Sequence, residues 1–201
     1  MKSDYTLKVI SKDDCKDLLR DHHYLTAISN GFKSGYNVGL FKGDAIVGVC
    51  IFTGFPVPEL AKGMLGLKRD DQEGLFELSR LVLCPSVQKD EHNITSWFVS
   101  RSIRLLRTNN KVRVLLSYAD ADYHQGTIYR ACNFTYYGLT TPKKDFWLLQ
   151  DDGTHKKHVR GKMKGLAGEW RDRSRKHRFV MVFDKKLKIL WNKVDFPKQS
   201  D

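Results

Sequence analysis

The stretch LLSYADADYHQGTIYRACNF, Leu115 to Phe134, decides the fold. It begins inside VRVLLSY, a nearly all-apolar run expected of a strand buried on both faces of a helix-covered sheet. The run stops abruptly at Asp120, passes through His124, and resumes at Gly126 as the short helix GTIYRACNF. Glycine permits the tight change of direction between strand and helix. Open α/β sheets bind ligands beyond the carboxyl ends of their strands. The polar residues gathered here therefore mark a candidate reaction centre.

Working outward, YTLKVIS (5–11) alternates like a strand, and Ser11 with Asp14 forms a capping box for a helix over about 12–24. NVGLFKGDAIVGVCIFTGF (37–55) is a hairpin around Lys42-Gly43-Asp44. FPVPELAKGMLGLKRDDQEG reads as a loop, and LFELSRLVLCP as a strand ended by Pro85. After a polar connection, PSVQKDEHN, the segment ITSWFVSRSIRLLRTNN has the spacing of an amphipathic helix, with Asn93 or Thr95 as its cap. FTYYGLT and DFWLLQDDG follow as strands, then a helix over MKGLAGEWRDRSRK, then two apolar runs flanking a turn at Asp184-Lys185-Lys186. This order implies an α/β protein with a mixed sheet, helices on both faces, and strands 75–83 and 112–118 at its centre. A single domain over residues 1–201 is expected, with its core at about 5–150 and a basic part at about 151–201.

The net charge of +12 is concentrated in that basic part, where 15 Lys and Arg stand against 7 Asp and Glu. Lys156, Lys157, Arg160, Lys162, Arg171, Arg173, Arg175, Lys176 and Arg178 interleave with Trp170, Phe179, Phe183 and Trp191. Cations among aromatics suit a polyphosphate with stackable bases, so nucleic acid is the expected partner. No run approaches the roughly 18 apolar residues of a membrane span, and the amino terminus has no apolar signal core, so a cytoplasmic protein is expected. Cys15, Cys50, Cys84 and Cys132 form no CxxC pair and read as buried, reduced thiols. His22, His23, His92 and His124 lack ligand spacing, so a metal is not expected.

The element order resembles the GNAT acyltransferase fold. Tyr129 to Gly138 reads Y-x-x-x-x-F-x-x-x-G, similar to a signature of that fold. One departure stands out. Acyl-CoA-using members carry a glycine-rich loop before the long helix whose N–H groups hold pyrophosphate, whereas Gln88 to Thr95 contains no glycine and two acids. A standard coenzyme A site is therefore not expected, although the helix N-terminus, with Asn93, Thr95 and Ser96, and Ser117 on the strand remain candidate donor contacts. A narrower resemblance rests on Glu77-Leu78-Ser79-Arg80-Leu81, Trp97-Phe98-Val99-Ser100-Arg101, Ser117-Tyr118-Ala119-Asp120 and His124 to Phe134 in that order. Together these resemble the phage Mom family, GNAT-related enzymes that place a carbamoylmethyl group on adenine N6 in DNA and so protect it from restriction. The likeness runs over about 20–155, and His22-His23-Tyr24 also suits it.

The resemblance implies roles for Arg80, Ser100, Asp120 and Tyr129, and their chemistry is coherent on its own terms. Adenine N6 is a weak nucleophile because its lone pair is delocalised into the ring. Attack therefore needs a base and a stabilised oxyanion. Asp120 suits the base, Arg80 the oxyanion, and Tyr129 or Ser100 the proton return; His124 is open to base, phosphate-contact, metal-ligand or loop roles. His23 and Tyr24 join the basic residues as nucleic-acid candidates. N6-glycyl and N6-carbamoylmethyl adenine are isomers, which points to an activated glycine such as glycyl-tRNA as donor, with acetyl-CoA as the alternative. Duplex adenine must be flipped or single-stranded to react, and Trp147, Trp170 and Tyr137 are candidates to stack on it. Two rival readings remain open: acylation of a protein or small-molecule amine, and non-catalytic nucleic-acid binding.

Overall fold

A computed structural model describes residues 2–23, 32–158 and 163–197. Tyr24, Arg160 and Lys162 lie outside the described residues. Strand β1 (Tyr5–Val9) leads into helix α1 (Lys16–His22), and the hairpin is β2 (Tyr36–Lys42) with β3 (Ala45–Gly54). Helix α2 (Pro58–Leu65), strand β4 (Leu75–Leu83), helices α3 (Pro85–Asp90) and α4 (Ile94–Asn109), strand β5 (Val114–Asp120), helix α5 (Thr127–Ala131) and strand β6 (Thr135–Leu139) follow. The remaining strands are β7 (Lys144–Leu149), β8 (His155–Lys157), β9 (Gly168–Asp172) and β10 (Lys176–Val182).

Seven strands form the main sheet in the order β1-β2-β3-β4-β5-β10-β6, and β8-β7-β9 form a second, three-stranded sheet. The main sheet is antiparallel except for β4 with β5. Alternation along each strand sends side chains to opposite faces. Val49, Ile51 and Val82 pack under α1, and Leu75, Val114, Leu116 and Val180 under α2. Cys50, Phe52, Leu78, Leu115, Ala119 and Phe179 form the opposite core with Ile94, Phe98, Val99 and Leu106 of α4 and Tyr129 of α5. Beyond β10 the chain returns over the α2 face through Leu187, Ile189 and Trp191, then reaches the α5 face at Phe196.

Four expectations are corrected. The helix over 163–176 is absent, because its middle is β9, which pairs antiparallel with β7. The supposed loop after Phe55 contains α2, and the polar connection after Cys84 contains α3; both begin with proline at a position where a helix needs no N–H. Finally, Asn93 makes no side-chain cap on α4. The basic stretch is also divided in two, because β10 is a central strand of the main sheet while β8 and β9 belong to the smaller one.

Candidate active site

The two central strands part company. Parallel pairing of β4 with β5 runs from Leu75↔Val114 to Leu78↔Ser117 and ends there, although β4 continues to Leu83 and β5 to Asp120. Ser117, fully buried, donates its hydroxyl to Leu78 O at 3.0 Å, the last tie before the gap. On the other side of β4, Ile51 of β3 pairs with Arg80 but Phe52 pairs with Leu78, so Ser79 is an extra, bulged residue. Its hydroxyl donates to Ile51 O at 3.2 Å. A bulge re-aims the side chains beyond it. Glu77 and Arg80, three apart and destined for opposite faces in a regular strand, thus share the α1/α2 face.

Around this gap the structure gathers His23, Arg80, Asp120 and His124. His23 is buried at the end of α1; burial, then the Arg80 and His124 charges, pull its imidazole down to about 4. Asp120 is buried at the end of β5, where Ser174 Oγ donates to its Oδ1 and Asp122 N–H donates to the same oxygen at 3.2 Å. The turn is closed by His124 N–H donating to Asp120 O at 3.0 Å. Desolvation by the surrounding protein lowers the His124 imidazole, and the Asp120 carboxylate opposes that shift. Gly126 follows with φ of +80°, and a Cβ there would lie 2.6 Å from the Phe179 ring and 2.8 Å from Ala119 Cβ. Glycine is required on both counts. Arg80 donates through Nη1 to Ser79 O at 2.5 Å, while its buried Nε has no hydrogen-bond partner among the described residues.

Tyr129 and Ser100 stand apart from this group. Tyr129 is buried on the α4/α5 face, its ring 5.0 Å from Phe179 and 5.6 Å from Phe134. Ser100 is exposed on α4 and hydrogen-bonds Cys132, countering part of the rise that burial imposes on that thiol. Cys132 Sγ donates to Ser96 O at 3.6 Å, which seats α5 against the first turn of α4. At that turn Asn93 is left-handed with φ of 57°, Ile94 N–H is taken by Glu91 O at 3.2 Å, and Ser96 Oγ donates to Asn93 O at 3.1 Å. Helix α3 ends immediately before it, at Asp90. The start of α4 therefore has no glycine and follows directly on Asp90 and Glu91.

Sequence reasoning missed several residues. Glu77, pushed up by burial against the opposing charges of Lys176, Arg80 and Lys33, lines a cleft of about 530 Å³ with Tyr118, Lys176, Arg178 and Trp191. Burial and Glu77 raise the Tyr118 phenol to about 12. His177, its imidazole lowered mainly by burial, meets Tyr136 Oη at 2.8 Å through Nδ1. The pairing of Ser174 with Asp120 is also absent from local sequence, since 54 residues separate the two.

The basic candidates divide by their attachments. Lys157 and Arg173 both pair with Asp145, Arg171 Nε donates to Glu169 at 2.6 Å, Arg175 Nε to Thr140 O at 2.7 Å and Arg178 Nη2 to Tyr137 O at 2.6 Å. Lys156 is exposed on β8, and Lys176 lines the space beside Asp120. Of the stacking candidates, Tyr137 is engaged with Trp191 at 6.3 Å and Trp170 with Phe146 at 5.3 Å. Among the described residues, no group of three or more His, Cys, Asp or Glu is arranged to hold a metal, and no helix is long and apolar enough to cross a membrane.

Solved structures similar to this chain are acetyltransferases. A Bacillus subtilis acetyltransferase in complex with CoA superimposes with a TM-score of 0.51 at 13% identity, over 89% of this chain and 97% of that one. A GNAT family acetyltransferase from Elizabethkingia anophelis with acetyl-CoA bound gives 0.51 at 13%, over 90% and 100%. A probable acetyltransferase from Staphylococcus epidermidis gives 0.54 at 8%, over 89% and 99%. At such identities the likeness is one of fold. No curated protein matches the chain. The family model of the Mom protein family matches residues 4–200, and the chain therefore belongs to the Mom protein family, built on the GNAT fold.

Proposed function

We propose that this protein transfers an activated glycyl group to the exocyclic N6 amine of adenine in DNA, giving N6-carbamoylmethyladenine and protecting phage DNA from host restriction. The observation that carries this reading is Asp120: a buried carboxylate, fixed by Ser174, where the central strands separate in a member of the Mom family. Two substrates have to meet in such a reaction. The strand gap joins the α1/α2 face, which holds Asp120, Arg80 and His23, to the α4/α5 face, which holds Tyr129 and Ser100.

N6 attacks the glycyl carbonyl carbon as Asp120 takes one of its protons. The carbonyl oxygen gains negative charge opposite Arg80, whose Nε–H is unengaged and desolvated; one donor of this kind is worth on the order of 100-fold in rate. The ester bond to the carrier then breaks, and Tyr129 or Ser100 returns a proton to the departing oxygen. The free glycyl amine next attacks C6, the C6–N6 bond breaks, and the isomer with C6–NH–CH2–CO–NH2 remains.

What supports a tRNA-borne donor over a coenzyme thioester is the absence of glycine before α4, beside Asp90 and Glu91, together with Lys156, Lys176 and their neighbours, which suit polyphosphate. Both nucleic acids are met in the host cytoplasm. The CoA and acetyl-CoA bound by two fold neighbours favour the second reading, acylation from acetyl-CoA. Purified protein, DNA and labelled glycyl-tRNA or labelled acetyl-CoA separate the two, with mass spectrometry of the nucleosides as readout. Label from glycyl-tRNA in a modified adenine is expected. Transfer from acetyl-CoA alone overturns the donor, and unmodified adenine with both donors overturns the function.

A further inference from the structure

The small sheet β8-β7-β9 is inserted between β6 and β10 and turns one face toward Asp120. Cross-strand pairing of Asp145 with Arg171, and of Trp147 with both Glu169 and Lys157, puts these side chains on that face. Phe146 and Trp170, paired with each other, take the opposite face. A cleft of about 480 Å³ separates the inner face from the main sheet, lined on one side by Asp145, Trp147, Lys157 and Arg171 and on the other by Asp120, Ser174 and Lys176. Trp147 is the aromatic ring among the lining residues. The guanidinium of Arg171 lies over it, 4.6 Å from the ring centroid, and Glu169 holds Arg171 in place through Nε at 2.6 Å. Asp145 braces the sheet by pairing with Lys157 and Arg173, and the Arg173 hydrogen bond holds its carboxyl down at about 2.

We propose that this cleft is the acceptor pocket, in which a nucleobase bearing an exocyclic amine, turned out of a DNA strand, stacks on the Arg171–Trp147 pair with its amine at Asp120. The inference rests on the transferase reading above and adds the place where the base lies. Its volume falls within the range of small-molecule pockets. A guanidinium plane backed by indole is a stacking surface for any base, since every base has a π-face. The Asp120 carboxylate at the far wall accepts from an amine, which adenine carries and thymine lacks. Lys176 and Lys157 at the rim suit the flanking phosphates.

The test compares two fluorescein-labelled single DNA strands, one with a lone adenine among thymines and one with an abasic site in its place, by anisotropy. In the native protein the adenine is expected to tighten binding about tenfold, within the range of one base–aromatic stack. That ratio should fall to about one in Trp147→Ala and in Arg171→Ala, remain largely intact in Trp147→Phe, and be unchanged in Trp170→Ala on the far face. A ratio preserved in Trp147→Ala overturns the pocket. So does an equal loss in Trp170→Ala, which would trace the effect to the sheet's integrity. An RNA strand of the same sequence bound tenfold more tightly overturns the DNA assignment. Nucleoside analysis keeps the two ideas separate: product without a Trp147-dependent ratio leaves the transferase standing and removes the pocket, while a Trp147-dependent ratio without product does the reverse.

Discussion

At Asp120 two donors converge from different parts of the chain, Ser174 Oγ and Asp122 N–H. Asp120→Asn keeps the size and removes the base, so the initial rate of adenine modification should fall on the order of 100-fold or more. Ser174→Ala should cost less, with both variants checked for fold by circular dichroism. His23 supplies a pH signature. Its folded value, about 4, lies below the ordinary 6.5, so the unfolded chain takes up a proton that the folded one refuses. The His23 contribution is therefore fully present above about 6.5 and is lost as pH falls from there toward about 4. Urea midpoints measured between pH 7 and pH 4 should show this decline, and His23→Gln should flatten it. At this scale the end of β5 at Asp120, with His124 in the turn after it, was legible, because an apolar strand that ends in polar groups is a local pattern. The sequence concealed the common face of Glu77 and Arg80, which exists only through the bulge at Ser79 against β3.

Elements were legible where their periodicity was long and their boundaries local. Helix α4, the β2–β3 hairpin and β5 follow from pattern alone, and the capping box forms as read: Ser11 N–H donates to Asp14 at 2.9 Å and Asp14 N–H to Ser11 Oγ at 3.2 Å. Helices α2 and α3 are short, and their prolines read as loop punctuation rather than as first-turn residues. Strand β9 was misread because its pairing with β7 is a tertiary fact. Its Gly168 belongs there, since a Cβ would meet Trp147 O at 2.1 Å. Two tests belong to this scale. Gly126→Ala must strain a positive φ and press on Phe179, and should destabilise by about 1–3 kcal/mol in urea unfolding. The Asp145 clamp, with its carboxyl held down to about 2 against an ordinary 3.8, contributes stability that is present above about 4 and lost as pH falls through about 2. Hydrogen exchange at β7–β9 amides should accelerate at pH 5 in Asp145→Asn while the main sheet stays protected.

For the whole molecule, charge composition raises the expectation of a polyphosphate partner but does not say how the basic quarter is distributed. Much of it is built into sheets: β10 lies between β5 and β6, and the insertion carries Lys157 and Arg171 to the cleft while Lys156 stands exposed on β8. Removing residues 151–201 should therefore abolish the soluble fold rather than trim a binding tail, as sedimentation and circular dichroism of the shortened chain would show. In the full chain, log affinity for DNA should fall linearly with log salt, and Lys156→Ala or Lys176→Ala should each reduce the slope by about 0.9 if that lysine meets a phosphate. The late position of β10 has a further consequence during synthesis. Until residues 176–182 leave the ribosome, β5 and β6 each wait with an open edge, and Asp120 lacks Ser174. Such long-range pairing is slow and leaves edges exposed to other chains. A nascent chain therefore has no assembled carboxylate site until translation has passed β10.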